Sequence, residues 1–195
     1  MLYGGTAIAL RLGHRQSIDF DFFCEMPLNR DAMWSAMPFL SGAALLQDQR
    51  NTLTALVPTP ESTGPQVKLS FFGSISFGRV GEPGLTDDGV AQVASLEDLM
   101  ATKLKVLLQR AEAKDYADIA AMLDAGVGLA DGLAAARAMF GPNFQPSESL
   151  KALAYFDDGD LTGLGAAVKS KLVRAVGAVR QLPEAAIRSR RLAAT

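Results

Sequence analysis

Two aspartates separated by one residue, Asp19 and Asp21, are the part of this chain whose residue types and spacing point most directly to chemistry. On a strand they would lie on the same side, with Cβ atoms roughly 6–7 Å apart at a rise of about 3.3 Å per residue. Two carboxylates so placed suit a shared Mg²⁺ or Mn²⁺, which keeps several waters and takes one or two protein carboxylates together with substrate phosphates. Alone, an Asp-x-Asp is ordinarily an exposed polar strand face. The residues upstream change its meaning. Gly4-Gly5-Thr6 opens an alanine- and leucine-rich segment, so the glycines would sit at a helix N-terminus whose free N–H groups attract phosphate. Gly4 and Gly5 would let the backbone approach the β- and γ-phosphates of a nucleoside triphosphate, Thr6 and Ser17 would add hydroxyls, and Arg15 would neutralise phosphate charge. Asp19 and Asp21 are thus candidate metal ligands and catalytic carboxylates. Gly4, Gly5, Thr6, Arg15 and Ser17 are candidate nucleotide-binding residues.

These groups need a sheet and a helix to hold them. Thr6 to Leu12 reads as a short helix stopped by Gly13, and Ser17 to Phe23 alternates strictly, as a half-buried strand does. That alternation turns Ile18, Phe20 and Phe22 to the core and Asp19 and Asp21 away from it. Leu2-Tyr3 reads as the end of a strand whose earlier residues are absent, so the N-terminus is expected to be truncated. A helix is expected from Arg30 to Leu40, a hairpin from Ala44-Leu-Leu-Gln and Thr52 to Val57, and strands at Gln66 to Phe72 and Val90 to Val93. From Ser95 the pattern is helical. Ser95-Leu-Glu-Asp98 is a capping box that opens a helix to about Ala113. Further helices are expected at Asp115–Leu123, Leu129–Phe140, Ser147–Tyr155 and Gly165–Leu182, with the stretch after Pro183 helical or frayed. The fold class is therefore α/β (α+β), with an α/β domain over residues 1–94 and a helical domain over residues 95–195.

Composition narrows the functions. With 195 residues, 49% of them hydrophobic, the chain can bury one sizeable core or two small ones that share an interface. No apolar run approaches the length of a bilayer span and no signal peptide is evident, so a cytoplasmic protein without a membrane partner is expected. A net charge of -2 argues against non-specific coating of nucleic acid. The average conceals a basic tail: residues 165–195 carry seven basic side chains and one acid, a net of +6 that leaves -8 for the rest. Such a tail is a solvated helical face or a contact for RNA or an acidic protein. Cys24, the single cysteine, reads as a buried or incidental thiol, and Trp34 and the methionines as core.

The segment Gly4-Gly-Thr-Ala-Ile-Ala-Leu-Arg-Leu-Gly-His-Arg-Gln-Ser-Ile-Asp19-Phe-Asp21-Phe-Phe23 resembles the signature of the nucleotidyltransferase family that includes the AbiEii and AbiGii toxins of abortive-infection and toxin–antitoxin systems. A second stretch resembles the same family: Leu96-Glu-Asp-Leu-Met-Ala-Thr-Lys103-Leu, then Arg110, then Lys114-Asp115-Tyr-Ala-Asp118-Ile. The resemblance implies a nucleotidyltransferase-like mixed sheet with flanking helices and a helical C-terminal domain. It implies Mg²⁺-dependent transfer of a nucleoside monophosphate from a triphosphate to an RNA, such as a tRNA end, or to a protein hydroxyl, with a separately encoded antitoxin as partner. It also raises Lys103 and Asp118, otherwise ordinary helix-surface charges, to candidate catalytic residues. Lys103 and Arg110 lie seven apart, two helical turns, and so share a face; Arg110, Lys114 and Asp115 are equally readable as local ion pairs. His14, the only histidine, reads as a turn residue that steadies the following strand or as a general base.

Many enzymes of this fold carry a third carboxylate on a neighbouring strand. In Val67 to Phe72 the apolar face is Val67, Leu69 and Phe71, which leaves Lys68 and Ser70 where an acid is expected. Either Asp118 or another acid replaces it, or the chain is a slow or inactive nucleotide-binding or interaction module of the same fold.

Overall fold

The structure is a computed structural model of the chain and describes residues 1–59 and 66–194. Among the described residues, seven strands make one mixed sheet: β1 (Leu2–Tyr3), β2 (Asp19–Phe23), β3 (Ala44–Gln49), β4 (Thr52–Val57), β5 (Val67–Phe72), β6 (Gly84–Leu85) and β7 (Gln92–Val93), in the order β3-β4-β5-β2-β1-β7-β6. The β2–β5 and β1–β7 pairs are parallel and the others antiparallel. Around the sheet lie α1 (Gly4–Leu12), α2 (Arg30–Ala36), α3 (Leu96–Val106), α4 (Ala113–Asp124), α5 (Leu129–Phe140), α6 (Pro146–Leu153) and α7 (Ala166–Ala178).

Two registers set up the site. Tyr3 of β1 pairs with Asp21, so the glycines that follow Tyr3 begin α1 beside that carboxylate. Along the parallel pair, Asp19 lies opposite Lys68 and Asp21 opposite Ser70. Thr6, buried in the first turn of α1, clamps the entry to β2: its hydroxyl donates to the Asp19 carbonyl and shares a 2.8 Å hydrogen bond with the Ser17 hydroxyl. Gly13 ends α1 in the left-handed conformation, φ 62°, and returns its N–H to the Ala9 carbonyl.

The larger apolar core joins Leu2, Tyr3, Ala7 and Ile8 to Leu99, Met100, Leu104, Ile119, Met122 and Leu133, so it runs from the sheet into the helices across residue 94. A smaller cluster, Leu40, Leu53 and Ala55, lies beneath the hairpin. Among the described residues no single helix is long and apolar enough to cross a membrane. A bent pair, Ala113–Asp124 with Leu129–Asn143, reaches that length and composition together, and its apolar residues, Ile119 and Leu133 among them, are core.

Several sequence expectations are corrected. The helix from Arg30 stops at Ala36, because Pro38 disfavours helical backbone at Met37; a 3-10 turn, Pro38–Gly42, follows. The helix from Ser95 ends at Val106 rather than near Ala113, with no glycine or proline to mark the break. Only half of the capping box forms. Ser95 Oγ accepts from the Asp98 N–H at 3.0 Å, whereas Asp98 accepts from the backbone N–H groups of Val80 and Gly81 and from the Ser95 hydroxyl. The last helix ends at Ala178, and the chain beyond Pro183 is irregular: it bridges Ser189 to Arg79 and buries Leu192 in the core. Ile18 is half exposed, whereas Phe20 and Phe22 are partly buried against the larger core as expected, and they also line an open apolar groove with Met37, Phe39, Leu69 and Phe71 on the sheet face away from the carboxylates. Trp34 is on the surface, as is Met26.

The helices stay in close contact through Gly132 of α5, where an added Cβ would lie 2.3 Å from Cγ of the buried Met100 in α3. Gly132→Ala is therefore expected to destabilise the protein by about 1–3 kcal/mol in urea unfolding, despite a helix-propensity gain of about 1 kcal/mol. An unchanged midpoint would contradict this packing.

Candidate active site

The sheet pleat turns Asp19, Asp21 and Phe23 of β2 and Lys68, Ser70 and Phe72 of β5 to one side, where they floor a cleft of about 350 Å³. Its walls are Gly5, Arg15 and Ser17 from the α1–β2 region and Lys103, Val106, Gln109, Arg110 and Lys114 from α3, α4 and the turn between them. Five cationic and two acidic side chains face the cavity; counting Asp115 and Asp118 behind the wall, the balance is one positive charge. Such a cleft is suited to a polyanion.

The carboxylate pair is asymmetric. Asp19 is 42% exposed and pairs with Lys68 at 3.4 Å. Asp21 is more enclosed: burial raises its pKa, a hydrogen bond from Ser70 and the Lys68 charge oppose the rise, and the Asp19 charge adds to it. A further cation would relieve that cost. Gly4 is required at this spot. It has φ 73°, and a Cβ on it would lie 2.5 Å from Asp21 Oδ2.

Behind this pair lies a buried ion cluster. Asp118 accepts from Arg15 through two nitrogens, at 2.6 and 3.0 Å, from His14 Nε2 at 2.8 Å and from Lys103 Nζ at 2.7 Å. Lys103 also donates to Asp115 at 2.5 Å, and Arg110 donates to the same carboxylate at 3.0 Å. Asp115 and Asp118 have no exposed surface. Burial pushes the Asp118 pKa up, but the Arg15 hydrogen bond, the Lys103 charge and the bonds from Lys103 and His14 outweigh it, and the pKa lies below the ordinary value. Gly5 is small for this cluster's sake: a Cβ there would lie 2.2 Å from Arg15 Nη2. His14 binds the Asp118 carboxylate, and its Nδ1 is buried with no hydrogen-bond partner among the described residues.

The structure thus brings Gly5, Arg15, Ser17, Asp19, Asp21 and Lys103 to one cavity. Gly4 and Thr6 lie beneath it as the seat of Asp21 and the clamp of β2, and Asp118 stands behind its wall, holding Arg15 and Lys103. No acid replaces Ser70 on β5, and among the described residues no three acidic, histidine or cysteine side chains converge as a metal cage. The donors that are present, two carboxylates open to a cavity that admits phosphate, fit Mg²⁺ rather than a cation that needs an all-protein shell. Sequence reasoning missed Phe23, Phe72 and Gln109 as lining residues. The strand alternation carried the signal for the two aromatics; the early end of α3, which places Gln109, had none.

The family model of the nucleotidyl transferase AbiEii toxin of type IV toxin–antitoxin systems matches residues 1–160, a stretch that holds the cleft. An uncharacterized protein of Aquifex aeolicus (strain VF5) is 31% identical over 120 residues, 60% of this chain and 54% of the relative, so the chain spans about half the length of the curated relative it matches. The crystal structure of an antigenic nucleotidyltransferase-like protein from Paracoccidioides brasiliensis shares the fold, with a TM-score of 0.55 at 16% identity over 92% of this chain and 84% of that one.

Asp118→Asn would leave buried cations without their counter-charge and is expected to cost about 3–5 kcal/mol. The pH dependence gives a second reading. Because the folded pKa is depressed, the ionised carboxylate stabilises the fold fully above about pH 3.9, the unfolded value, and this contribution is lost as pH falls through the folded pKa. Urea unfolding across an acid pH series should show that loss in the parent chain and its absence in Asp118→Asn.

Proposed function

The chain belongs to the nucleotidyl transferase AbiEii toxin family, and on that premise we propose that its cleft transfers a nucleoside monophosphate from a triphosphate to an RNA or protein hydroxyl, as the toxin of a toxin–antitoxin pair. The observation that carries this reading is the placing of Asp19 and Asp21 on one face of β2, beside a helix N-terminus with no side-chain cap and within a cationic cavity. Uncapped N–H groups of α1 together with Arg15 and Lys103 supply the donors that a triphosphate needs.

Asp19 and Asp21 would hold Mg²⁺, which when bound supplies positive charge to phosphate oxygens. The protein's own groups do the rest. Arg15, for whose guanidinium Gly5 leaves room, and Ser17 seat the outer phosphates, and Lys103, fixed by two buried carboxylates, offsets charge that develops on the phosphate chain. The acceptor hydroxyl oxygen forms its bond to the α-phosphorus as the bond to the α–β bridging oxygen breaks; the hydroxyl proton passes to solvent water and pyrophosphate leaves. Positioning and electrostatics account for the rate. Asp118 orients Arg15 and Lys103 and does not touch substrate. The basic tail offers a contact for an acidic acceptor or an antitoxin.

The presence of Lys68 and Ser70 where an acid is expected favours a second reading, a nucleotide-binding module of slow or no turnover. Incubation with Mg²⁺ and α-labelled triphosphates in the presence of total RNA and protein separates the two. Transfer is expected in the parent chain, with a loss of about a hundredfold or more in Asp19→Ala at an unchanged melting temperature, since Asp19 is half exposed. Mg²⁺-dependent nucleotide binding without label transfer would favour the second reading, and transfer that survives Asp19→Ala would contradict the first.

A further inference from the structure

The cleft changes character along its length, and nothing in its charged half accounts for the other end. Asp19, Lys68, Arg15 and Ser17 crowd one end, while four residues further along the paired strands stand Phe23 and Phe72, about 13 Å away at a rise of about 3.3 Å per residue. The two rings meet edge to face, with centroids 5.2 Å apart and planes at 87°. Phe23 is committed to the protein: it stacks on Tyr3 at 4.8 Å, touches Phe77 and packs against the larger core. Phe72 is different. It is half buried, yet it belongs to neither apolar cluster of the described residues, although its neighbour Phe71, turned to the other face, packs on the smaller cluster. An aromatic side chain that neither core uses, held at right angles by a ring that the core fixes, presents a surface to the cavity. Val106, the last residue of α3, and Gln109, in the turn that follows it, line the same cavity. The Gln109 amide has no hydrogen-bond partner among the described residues.

We propose that Phe72 is the platform on which the nucleobase stacks, with the Gln109 amide free to contact the base edge. The inference rests on the nucleotidyl-transfer reading of the same cleft and adds to it the end at which the base lies. The triphosphate occupies the Asp19 end and the base the Phe72 end, a polarity that matches a nucleotide and not a phosphorylated sugar or inorganic polyphosphate. Because every base has an aromatic face, Phe72 binds all four nucleotides; an amide, which both donates and accepts, sets the preference among them.

The test compares two probes, tripolyphosphate and each of the four nucleoside triphosphates, titrated with Mg²⁺ into the parent chain, Phe72→Ala, Phe72→Leu and Phe72→Tyr. Loss of a stacking ring is expected to weaken nucleotide binding about tenfold in the Ala and Leu variants and to leave tripolyphosphate binding unchanged. Phe72→Tyr should bind nucleotide as the parent does, and Phe72→Leu keeps apolar bulk, so a loss there is not one of packing. Gln109→Ala should narrow the spread of affinities among the four nucleotides. Equal loss for both probes, or no loss for nucleotide, overturns the inference alone. A parent chain that binds neither probe overturns the nucleotidyl-transfer reading as well.

Discussion

Asp118 has no exposed surface, yet it accepts hydrogen bonds from Arg15, His14 and Lys103 at once. Removing a carboxylate and three donors from water costs several kcal/mol per ion, and the mutual attraction does little more than offset that cost. What the cluster contributes is therefore geometry more than net stability. Arg15 comes from the turn between α1 and β2, Lys103 from α3 and Asp118 from α4, so one carboxylate ties the strand that bears Asp19 and Asp21 to the helices that form the opposite wall. Arg110 and Asp115 extend the tie around the bend between α3 and α4.

The carboxylates of the site are pushed in opposite directions by their surroundings. Asp118, ringed by donors, stays ionised below the usual range, whereas Asp21, buried beside Asp19 with Ser70 and Lys68 as partial compensation, is raised. Residues of one type thus divide the work: one is satisfied by the protein and serves as an anchor, and the other is left wanting a cation and faces the cavity. The same contrast explains the glycines. Gly4 makes room for the Asp21 carboxylate and Gly5 for the Arg15 guanidinium, so the signature serves the protein's own charges before any phosphate arrives.

Much of this was legible in the chain because it is local. A glycine pair before a helix, a strictly alternating strand with two acids on one side, and a serine ahead of a helix each follow from rules that span a few residues, and α5 matches its expected bounds at both ends. The absence of an acid beside Asp21 was readable too, since strand alternation alone sets Lys68 and Ser70 on that face. What escaped depends on contacts distant in sequence. The helix from Ser95 ends early with no breaker, where the chain reverses and brings Asp115 against Lys103, a pairing across two elements. Leu192, deep in the core, follows a segment whose Arg188 and Ser189 exchange backbone hydrogen bonds with Arg79, and its own N–H donates to Glu25; no pattern of its own marks it. Ile18 is half exposed although the alternation is sound, because β2 begins only at Asp19 and Ile18 lies ahead of the sheet.

The central claim is that Asp19 and Asp21 face a nucleotide, and a crystal structure of the chain with Mg²⁺ and a triphosphate that cannot be cleaved between its α- and β-phosphates tests it most directly. The account predicts a metal ion between the two carboxylates, Lys68 drawn away from Asp19, and the phosphates against Gly5, Arg15 and Lys103. A nucleotide bound elsewhere, with Asp19 still paired to Lys68 and no ion on Asp21, would contradict it.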